Sequence, residues 1–335
     1  MNKRSVRVGF IGAGSIGSLF GGYLADIKSD IYSIEVIFFC MKNHANVIKK
    51  KGLKVYRDQK VNVIKNIRAF ENEESIEDIL VKDMSFEFDF IFLTTKTYDI
   101  KTAILQYNKI IKASNYLVIL QNGIGNEDIV VEYCNRANII RAVTTNGALL
   151  EKPGHLIHTG QGITKIGFPF LMELNLEERE LDQAKSFLML LRDILNLANL
   201  ETIIVEDIIK ECWEKALVNI GINAIGALTR LTNGELLKIE ELRYFIEQAI
   251  NEAMKVAEMK NIILSKKDYV SITYGVLKKT ANNKNSMLQD VLNRRTTEID
   301  FLNGRILSYA ENLGIKVPIN ELLTYLIRGL GDSII

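Results

Sequence analysis

Two shortages in the sequence each exclude a class of protein. The cysteines, Cys40, Cys134 and Cys212, lie far apart, form no CxxC pair and cannot all pair with one another, which is unlike a secreted disulfide scaffold. The 42 basic residues nearly balance the 41 acidic ones, so no overall field favours nucleic acid or an anionic membrane. These shortages predict a reducing, cytoplasmic compartment and no nucleic-acid partner.

Long apolar runs and metal-ligand patterns are also missing. A membrane-spanning helix needs about 18 to 20 apolar residues, and runs such as Tyr116 to Leu120 end at polar residues, so we expect no membrane segment. His155 and His158 have HxxH spacing but no accompanying set of acidic or cysteine ligands, so no metal site is predicted. The sequence also contains no Walker loop, serine elbow or zinc signature.

The length and the hydrophobic pattern predict two domains. The chain has 335 residues, more than the roughly 250 at which a single core stops growing. Its first half alternates short β-branched runs with helical stretches, the rhythm of an α/β fold with a parallel sheet. The predicted strands are Val6–Ile11, Glu35–Phe39, Phe88–Leu93, Tyr116–Leu120 and Ile139–Val143.

Later segments complete this organisation. The glycines from Pro153 to Phe170 predict a hairpin or an irregular crossing, and the pattern after Val205 is almost wholly helical. We therefore place the domains at residues 1–205 and 206–335. The charged stretch from Glu71 to Asp83 is interpreted as a solvated helix or surface insertion without a function.

A three-glycine motif directly follows the first predicted strand. Gly12 would permit a tight turn, Gly14 would let the backbone approach a pyrophosphate, and Gly17 would let helix and strand pack closely. A flavin, S-adenosylmethionine or a purely structural turn also fits the spacing, but the strand before it and the helix after it favour a nicotinamide dinucleotide. The predicted cofactor-binding residues of this motif are Gly12, Ala13, Gly14, Ser15, Ile16 and Gly17.

The end of the second predicted strand bears on the cofactor. An NAD-preferring site has Asp or Glu there, about 20 residues after the glycines, and this chain has none. Lys42 stands there instead and could attract a 2′-phosphate, or it could be an ordinary surface lysine. We therefore favour NADP(H) as the cofactor and leave NAD open.

Polar residues follow two other predicted strands. Ligands of open α/β sheets collect beyond the carboxyl ends of the strands, where Lys96 follows Leu93 closely and Asn122 lies between Gln121 and Gly123. Lys96 could contact a cofactor phosphate or ribose, and Asn122 a carbonyl substrate or the nicotinamide ribose. Both segments could equally be ordinary turns.

Lys215, Asn219 and Asn223 form a polar stripe on an otherwise apolar helix, because residues four apart share one face. Buried amides and ammonium groups need hydrogen-bond partners. A polar substrate or an interhelical hydrogen-bond network would supply them.

Ser286 and Glu298 each allow a structural and a chemical interpretation. Ser286 and Gln289 have the spacing of a helix capping box, so capping is the simplest explanation of Ser286. Glu298 could pair with Arg295 or face Lys215.

Together these motifs resemble those of the ketopantoate reductase (2-dehydropantoate 2-reductase) family over nearly the whole chain, to Asn303 and Gly304. The glycine motif is generic, whereas Lys96 and residues 121–123 are moderately specific. The polar stripe is highly specific when followed by the Thr-Asn-Gly of residues 232–234, the Ser-Met-Leu-Gln-Asp of 286–290 and the Thr-Glu-Ile-Asp of 297–300.

The resemblance implies a Rossmann-like dinucleotide-binding domain followed by a mostly helical substrate domain. It implies that Lys215 is the catalytic lysine, Glu298 its partner carboxylate, and Asn122 and Lys96 polar residues on the cofactor side. The substrate-binding positions that it implies are Asn122, Asn219, Asn223, Asn233, Asn283 and Ser286.

Two departures from the family pattern leave the cofactor preference and the exact substrate open. Met41, beside Lys42, stands where the family often has arginine, and Asn285 replaces a common serine.

The resemblance implies NADPH-dependent reduction of ketopantoate to pantoate, in pantothenate and coenzyme A biosynthesis. Hydride would add to the carbonyl carbon, and Lys215 would donate a proton or stabilise the alkoxide. The alternatives are another 2-keto or 2-hydroxy acid on the same scaffold, or a non-enzymatic NAD(P)-responsive regulator. The expected partner is a small 2-keto acid, and the oligomeric state stays open, a homodimer included.

Overall fold

The computed structural model describes residues 3–58, 60–71 and 87–334, except for the side chains at 172 and 332–334. The chain divides into two compact units, one of residues 1–121 and 126–208 and the other of residues 122–125 and 209–335. The predicted domain boundary after residue 205 stays a prediction. Residues 72–83 of the predicted surface insertion lie outside the described residues.

The first unit contains strands and helices in alternation. Its strands are β1 (Arg4–Ile11), β2 (Tyr32–Phe39), β3 (Leu53–Arg57), β4 (Lys60–Ile64), β5 (Ile67–Phe70), β6 (Phe88–Leu93), β7 (Ser114–Ile119), β8 (Ile139–Thr144), β9 (Gly147–Lys152), β10 (His155–Gly160), β11 (Thr164–Gly167) and β12 (Thr202–Ile204). Its helices are α1 (Ser15–Ala25), α2 (Lys42–Lys51), α3 (Ile100–Gln106), α4 (Asn108–Lys112), α5 (Asn126–Val130) and α6 (Glu178–Leu197).

Among the described residues, eight strands form one sheet in the order β12-β11-β8-β7-β6-β1-β2-β5. Its neighbouring strands are parallel except for β8 and β11. The strand order reverses between β1 and β6, and ligands of doubly wound sheets bind at such a reversal. The five strands predicted from the sequence are confirmed as β1, β2, β6, β7 and β8, with ends shifted by a few residues.

A second, four-stranded sheet has the order β4-β3-β10-β9 in the described residues. Strands β9 and β10 form an antiparallel hairpin, and its first strand ends at Lys152, before the segment from Pro153 to Phe170 for which a hairpin was predicted. The chain then enters the large sheet through β11.

The central strands are buried on both faces, which explains their nearly continuous apolar sequence. Phe10 of β1 and Phe92 of β6 are fully buried and stack with their ring centroids 4.7 Å apart. Helix α1 packs closely on this sheet because Gly21 lies against the ring of Phe38, where a side chain would collide.

The described part of the second unit contains seven α-helices. They are α7 (Ile208–Thr229), α8 (Asn233–Lys238), α9 (Glu240–Met259), α10 (Tyr269–Lys279), α11 (Ser286–Leu292), α12 (Asn303–Leu313) and α13 (Pro318–Ile334). The predicted fold class, an α/β unit followed by a helical one, is confirmed. None of the helices in the described ranges is both long and apolar enough to cross a membrane.

A buried hydrogen-bond network fixes the register of the helices around α7. Asn303 Nδ2 donates to the Ile220 carbonyl at 3.1 Å and to Asn320 Oδ1 at 3.0 Å. Asn320 Nδ2 donates in turn to the Ala249 carbonyl at 3.0 Å. Because buried amides are costly unless hydrogen-bonded, this network favours one arrangement of α7, α9, α12 and α13.

His44 links the start of α2 to two neighbouring segments of the first unit. Its Nδ1 accepts from the Gly154 N–H at 3.0 Å, so Nε2 carries the proton and donates to Ser18 Oγ at 3.2 Å. The Ser18 hydroxyl donates to the Ala13 carbonyl at 2.9 Å. Burial lowers the pKa of His44 to about 4, so the imidazole stays neutral near pH 7.

We predict that His44 makes stability depend on pH. Between pH 6.5 and about 4 the unfolded chain binds a proton on His44 that the folded chain excludes. The contribution of His44 to the free energy of unfolding is therefore complete above this pH range and falls by up to about 3 kcal/mol as the pH drops through it. His44→Gln should flatten this dependence. Urea unfolding of both proteins at several pH values across the window measures the two slopes, and equal slopes would contradict the prediction.

Candidate functional site

The glycine loop of the first unit has the geometry expected of a phosphate-binding turn. Gly12 has a φ of +86°, and a Cβ there would lie 2.6 Å from the Thr95 nitrogen. A Cβ on Gly17 would lie 2.5 Å from Thr94 Oγ1, so this glycine lets α1 pack against the end of β6. At Gly14 a Cβ would approach only the Gly12 carbonyl, at 3.9 Å. The loop therefore leaves room at Gly14 for an anion at the amino end of α1.

Two charged side chains, Lys42 and Glu71, lie at the end of β2. Met41 is 80% exposed, and Lys42 Nζ lies 3.7 Å from Glu71 Oε2. Glu71 directly follows β5, which pairs with β2. Sequence spacing missed this carboxylate, because only the strand order shows that β5 ends beside β2.

Lys96 follows β6 at the same edge of the sheet as the glycine loop. It is partly buried and precedes a short 3₁₀ turn, Thr97–Asp99. Beside it, Gln121 Nε2 donates to Thr95 Oγ1 at 3.2 Å. This places Lys96 with the predicted cofactor loop, and its contact with a cofactor stays a prediction.

In the second unit, Lys215 Nζ donates to Asn122 Oδ1 at 2.6 Å. Asn122 begins the turn of residues 122–125, in which Gly123 has a φ of +87° and the Ile124 N–H donates to the Phe301 carbonyl at 3.2 Å. A Cβ on Gly123 would lie 2.6 Å from that carbonyl. Glycine is therefore required where this turn packs against the segment before α12.

A small pocket, partly open to solvent, lies within the second unit. Its polar and apolar lining residues are Asn122, Asn223, Ser286, Met287, Asp290, Glu298 and Leu302. The structure thus brings together four of the predicted site residues, and the hydrogen bond to Asn122 joins Lys215 to them.

Asp290 is a pocket residue that the sequence interpretation missed. Its exposed fraction is 7%, and it lies four residues after Ser286 on α11. That spacing puts both residues on one helix face and could have identified it.

The predicted capping role of Ser286 is wrong. Asn285 is the N-cap of α11, and its Oδ1 accepts from the Leu288 N–H at 2.9 Å. Ser286 is the first helical residue and lines the pocket instead. Asparagine is a residue type that caps helices well.

Three predicted substrate-binding asparagines do not line this pocket. Asn219 is partly buried on α7 between Lys215 and Asn223. The Asn233 N–H donates to the Asn283 carbonyl at 3.0 Å, and Asn233 Nδ2 donates to Thr280 Oγ1 at 2.8 Å. Their contact with substrate stays a prediction.

The pocket combines hydroxyl, amide and carboxylate groups beside an ammonium group. Lys215 could stabilise negative charge that develops on a ligand oxygen, and Ser286 and Asn223 could hydrogen-bond a carboxylate. In the described ranges, no group of three or more His, Cys, Asp or Glu residues is arranged to hold a metal ion.

Family models match most of the chain. The model described as Ketopantoate reductase PanE/ApbA matches residues 8–169, and the one described as Ketopantoate reductase PanE/ApbA C terminal matches residues 207–331.

Two curated relatives match nearly end to end. A 2-dehydropantoate 2-reductase of Pyrococcus abyssi (strain GE5 / Orsay) is 34% identical over 327 residues, which cover 97% of each chain. Another, of Archaeoglobus fulgidus (strain ATCC 49558 / DSM 4304 / JCM 9628 / NBRC 100126 / VC-16), is 30% identical over 331 residues, or 99% of this chain and 100% of that protein.

Solved structures agree in fold. The ternary structure of D-mandelate dehydrogenase with NADH and anilino(oxo)acetate has a TM-score of 0.83 and 26% identity, and covers 98% of this chain and 99% of that one. A PanE/ApbA family ketopantoate reductase from Ralstonia eutropha JMP134 has a TM-score of 0.80 at 24% identity, with the same coverage. The motif resemblance is confirmed, and this chain belongs to the ketopantoate reductase family.

Proposed function

We propose that this chain catalyses the NADPH-dependent reduction of ketopantoate to pantoate, in pantothenate and coenzyme A biosynthesis. The observation that carries the proposal is the 2.6 Å hydrogen bond from Lys215 Nζ to Asn122 Oδ1, beside a pocket that Ser286 and Glu298 line. The relatives named 2-dehydropantoate 2-reductase support the substrate.

The glycine loop fits a nicotinamide dinucleotide, because Gly14 leaves space at the amino end of α1 where a pyrophosphate would bind. When bound, the nicotinamide supplies a hydride to the carbonyl carbon of the keto acid. Lys96 would contact a phosphate or ribose of the cofactor.

Lys215 is proposed as the acid. Its ammonium group would donate a proton to the carbonyl oxygen as negative charge develops there. Asn122 would orient this group, and Glu298 would favour its charged form. Ser286 and Asn223 would hydrogen-bond the substrate carboxylate, with Asn219, Asn233 and Asn283 as further proposed substrate contacts.

The proposed preference for NADPH depends on Lys42. Its ammonium group would attract the 2′-phosphate, whereas the carboxylate of Glu71 would repel that phosphate and could accept from the ribose hydroxyls of NADH. The two side chains therefore act in opposite directions on cofactor choice.

A second candidate is the reduction of a different 2-keto acid. The likeness to D-mandelate dehydrogenase favours this second candidate, because mandelate is a 2-hydroxy acid with a phenyl group and so differs from pantoate. Asp290 and Asn223 make the pocket of this chain polar, which suits the hydroxyl group of ketopantoate better. Comparing kcat/KM for ketopantoate and phenylglyoxylate separates the two candidates.

We predict that Lys215→Ala lowers kcat/KM for ketopantoate by about 10²- to 10⁴-fold, because the proton donor is lost. Cofactor binding should be unchanged. The measurement is NADPH oxidation followed at 340 nm, with Lys255→Ala, an exposed lysine of α9, as the matched control. Turnover by Lys215→Ala at the rate of the control would remove Lys215 from the mechanism.

We predict that Lys42→Ala raises KM for NADPH about tenfold and leaves KM for NADH almost unchanged, because one charged contact to the 2′-phosphate is lost. Glu71→Gln should lower KM for NADPH. Lys50→Ala, an exposed lysine of α2, serves as the control. Equal effects of Lys42→Ala on both cofactors would contradict the proposed preference.

A further inference from the structure

Arg141 is a buried charge in the first unit that the proposed mechanism does not use. Its exposed fraction is 1%, and its Nε lies 3.3 Å from Oε2 of the buried Glu127. Removing two charges from water costs several kcal/mol per ion unless good geometry and added hydrogen bonds offset the loss. The contacts of Arg141 therefore indicate which part of the chain the Arg141–Glu127 ion pair holds in place.

The Arg141 guanidinium binds carbonyl groups where β7 ends. Nη1 donates to the Ile119 carbonyl at 2.8 Å and to that of Ala142 at 2.9 Å, and Nη2 donates to the Gln121 carbonyl at 2.9 Å. Arg141 pairs in the sheet with Ile119, the last residue of β7. The guanidinium thus reaches two residues past the last strand pair.

Gln121 precedes Asn122, so the same peptide unit contains the carbonyl that Arg141 binds and the nitrogen of Asn122. Fixing that carbonyl fixes the plane of the peptide bond and limits the directions open to the Asn122 side chain. Asn122 Oδ1 is the acceptor, at 2.6 Å, for the ammonium group of Lys215.

We propose that Arg141 is a positioning residue for the reaction, an inference that rests on the proposed function. Through the Gln121 carbonyl it orients Asn122, and through Asn122 it orients Lys215. Glu127 orients the guanidinium. Three carbonyl contacts at fixed angles require the planar fork of arginine, which lysine cannot reproduce.

The test is a double-mutant cycle on the full-length protein. Arg141→Met and Asn122→Ala should each lower kcat for ketopantoate by about 10- to 100-fold, as expected when a catalytic group is misplaced. The double variant should be no slower than Asn122→Ala, because the two residues act on one group. Arg136→Met, which removes an exposed arginine from the turn before β8, should retain wild-type kcat.

A purely structural role for Arg141 would give a different result, since independent effects multiply. A double variant slower than either single variant by the product of their effects would overturn the inference, whereas an inactive wild-type protein would overturn the proposed function. If Arg141→Met does not fold, Arg141→Lys and Glu127→Gln replace it in the same cycle.

A titration tests the inference independently of turnover. The ¹³Cε chemical shift of Lys215 reports its pKa, and losing the amide acceptor should lower that pKa, because the charged form loses a hydrogen bond. The inference requires Arg141→Met and Asn122→Ala to lower the pKa of Lys215 by similar amounts. The double variant should lower this pKa no further than either single variant. An unchanged Lys215 titration in Arg141→Met would overturn it.

Discussion

The hydrogen bond between Lys215 and Asn122 is the interaction on which the second unit's site depends. It joins the long helix α7 to a turn 93 residues earlier in the chain. An amide oxygen orients an ammonium group without neutralising it, so the positive charge is retained for an oxygen on which negative charge develops. The turn fits there because Gly123 adopts a positive φ against the carbonyl of Phe301.

In the first unit, the backbone of the glycine loop must come close to an anion. Gly12 and Gly17 allow the loop to lie against the end of β6, and the space at Gly14 is left for a ligand. The hydrogen bonds from His44 through Ser18 to the Ala13 carbonyl hold the same loop from its buried side. Both glycine-dependent turns lie at the carboxyl ends of parallel strands.

Much of this arrangement could be predicted from the sequence, since the patterns that determine it are local. The apolar runs identified five strands of the large sheet, and four-residue spacing put Lys215 and Asn223 on one face of α7. The spacing from Ser286 to Asp290 had the same meaning, but Ser286 was paired with Gln289 as a capping box, although Asn285 is the cap. The sequence could not show the roles of Glu71 and Arg141, because their partners are set by strand order and by contacts between distant residues.

The most direct test of the proposed mechanism is a crystal structure of the dead-end complex with NADP⁺ and ketopantoate, in which no hydride is available for transfer. This mechanism predicts the keto oxygen within about 3.2 Å of Lys215 Nζ, with the substrate carboxylate against Ser286. Ketopantoate bound outside the pocket, or with its keto oxygen directed away from Lys215, would contradict it.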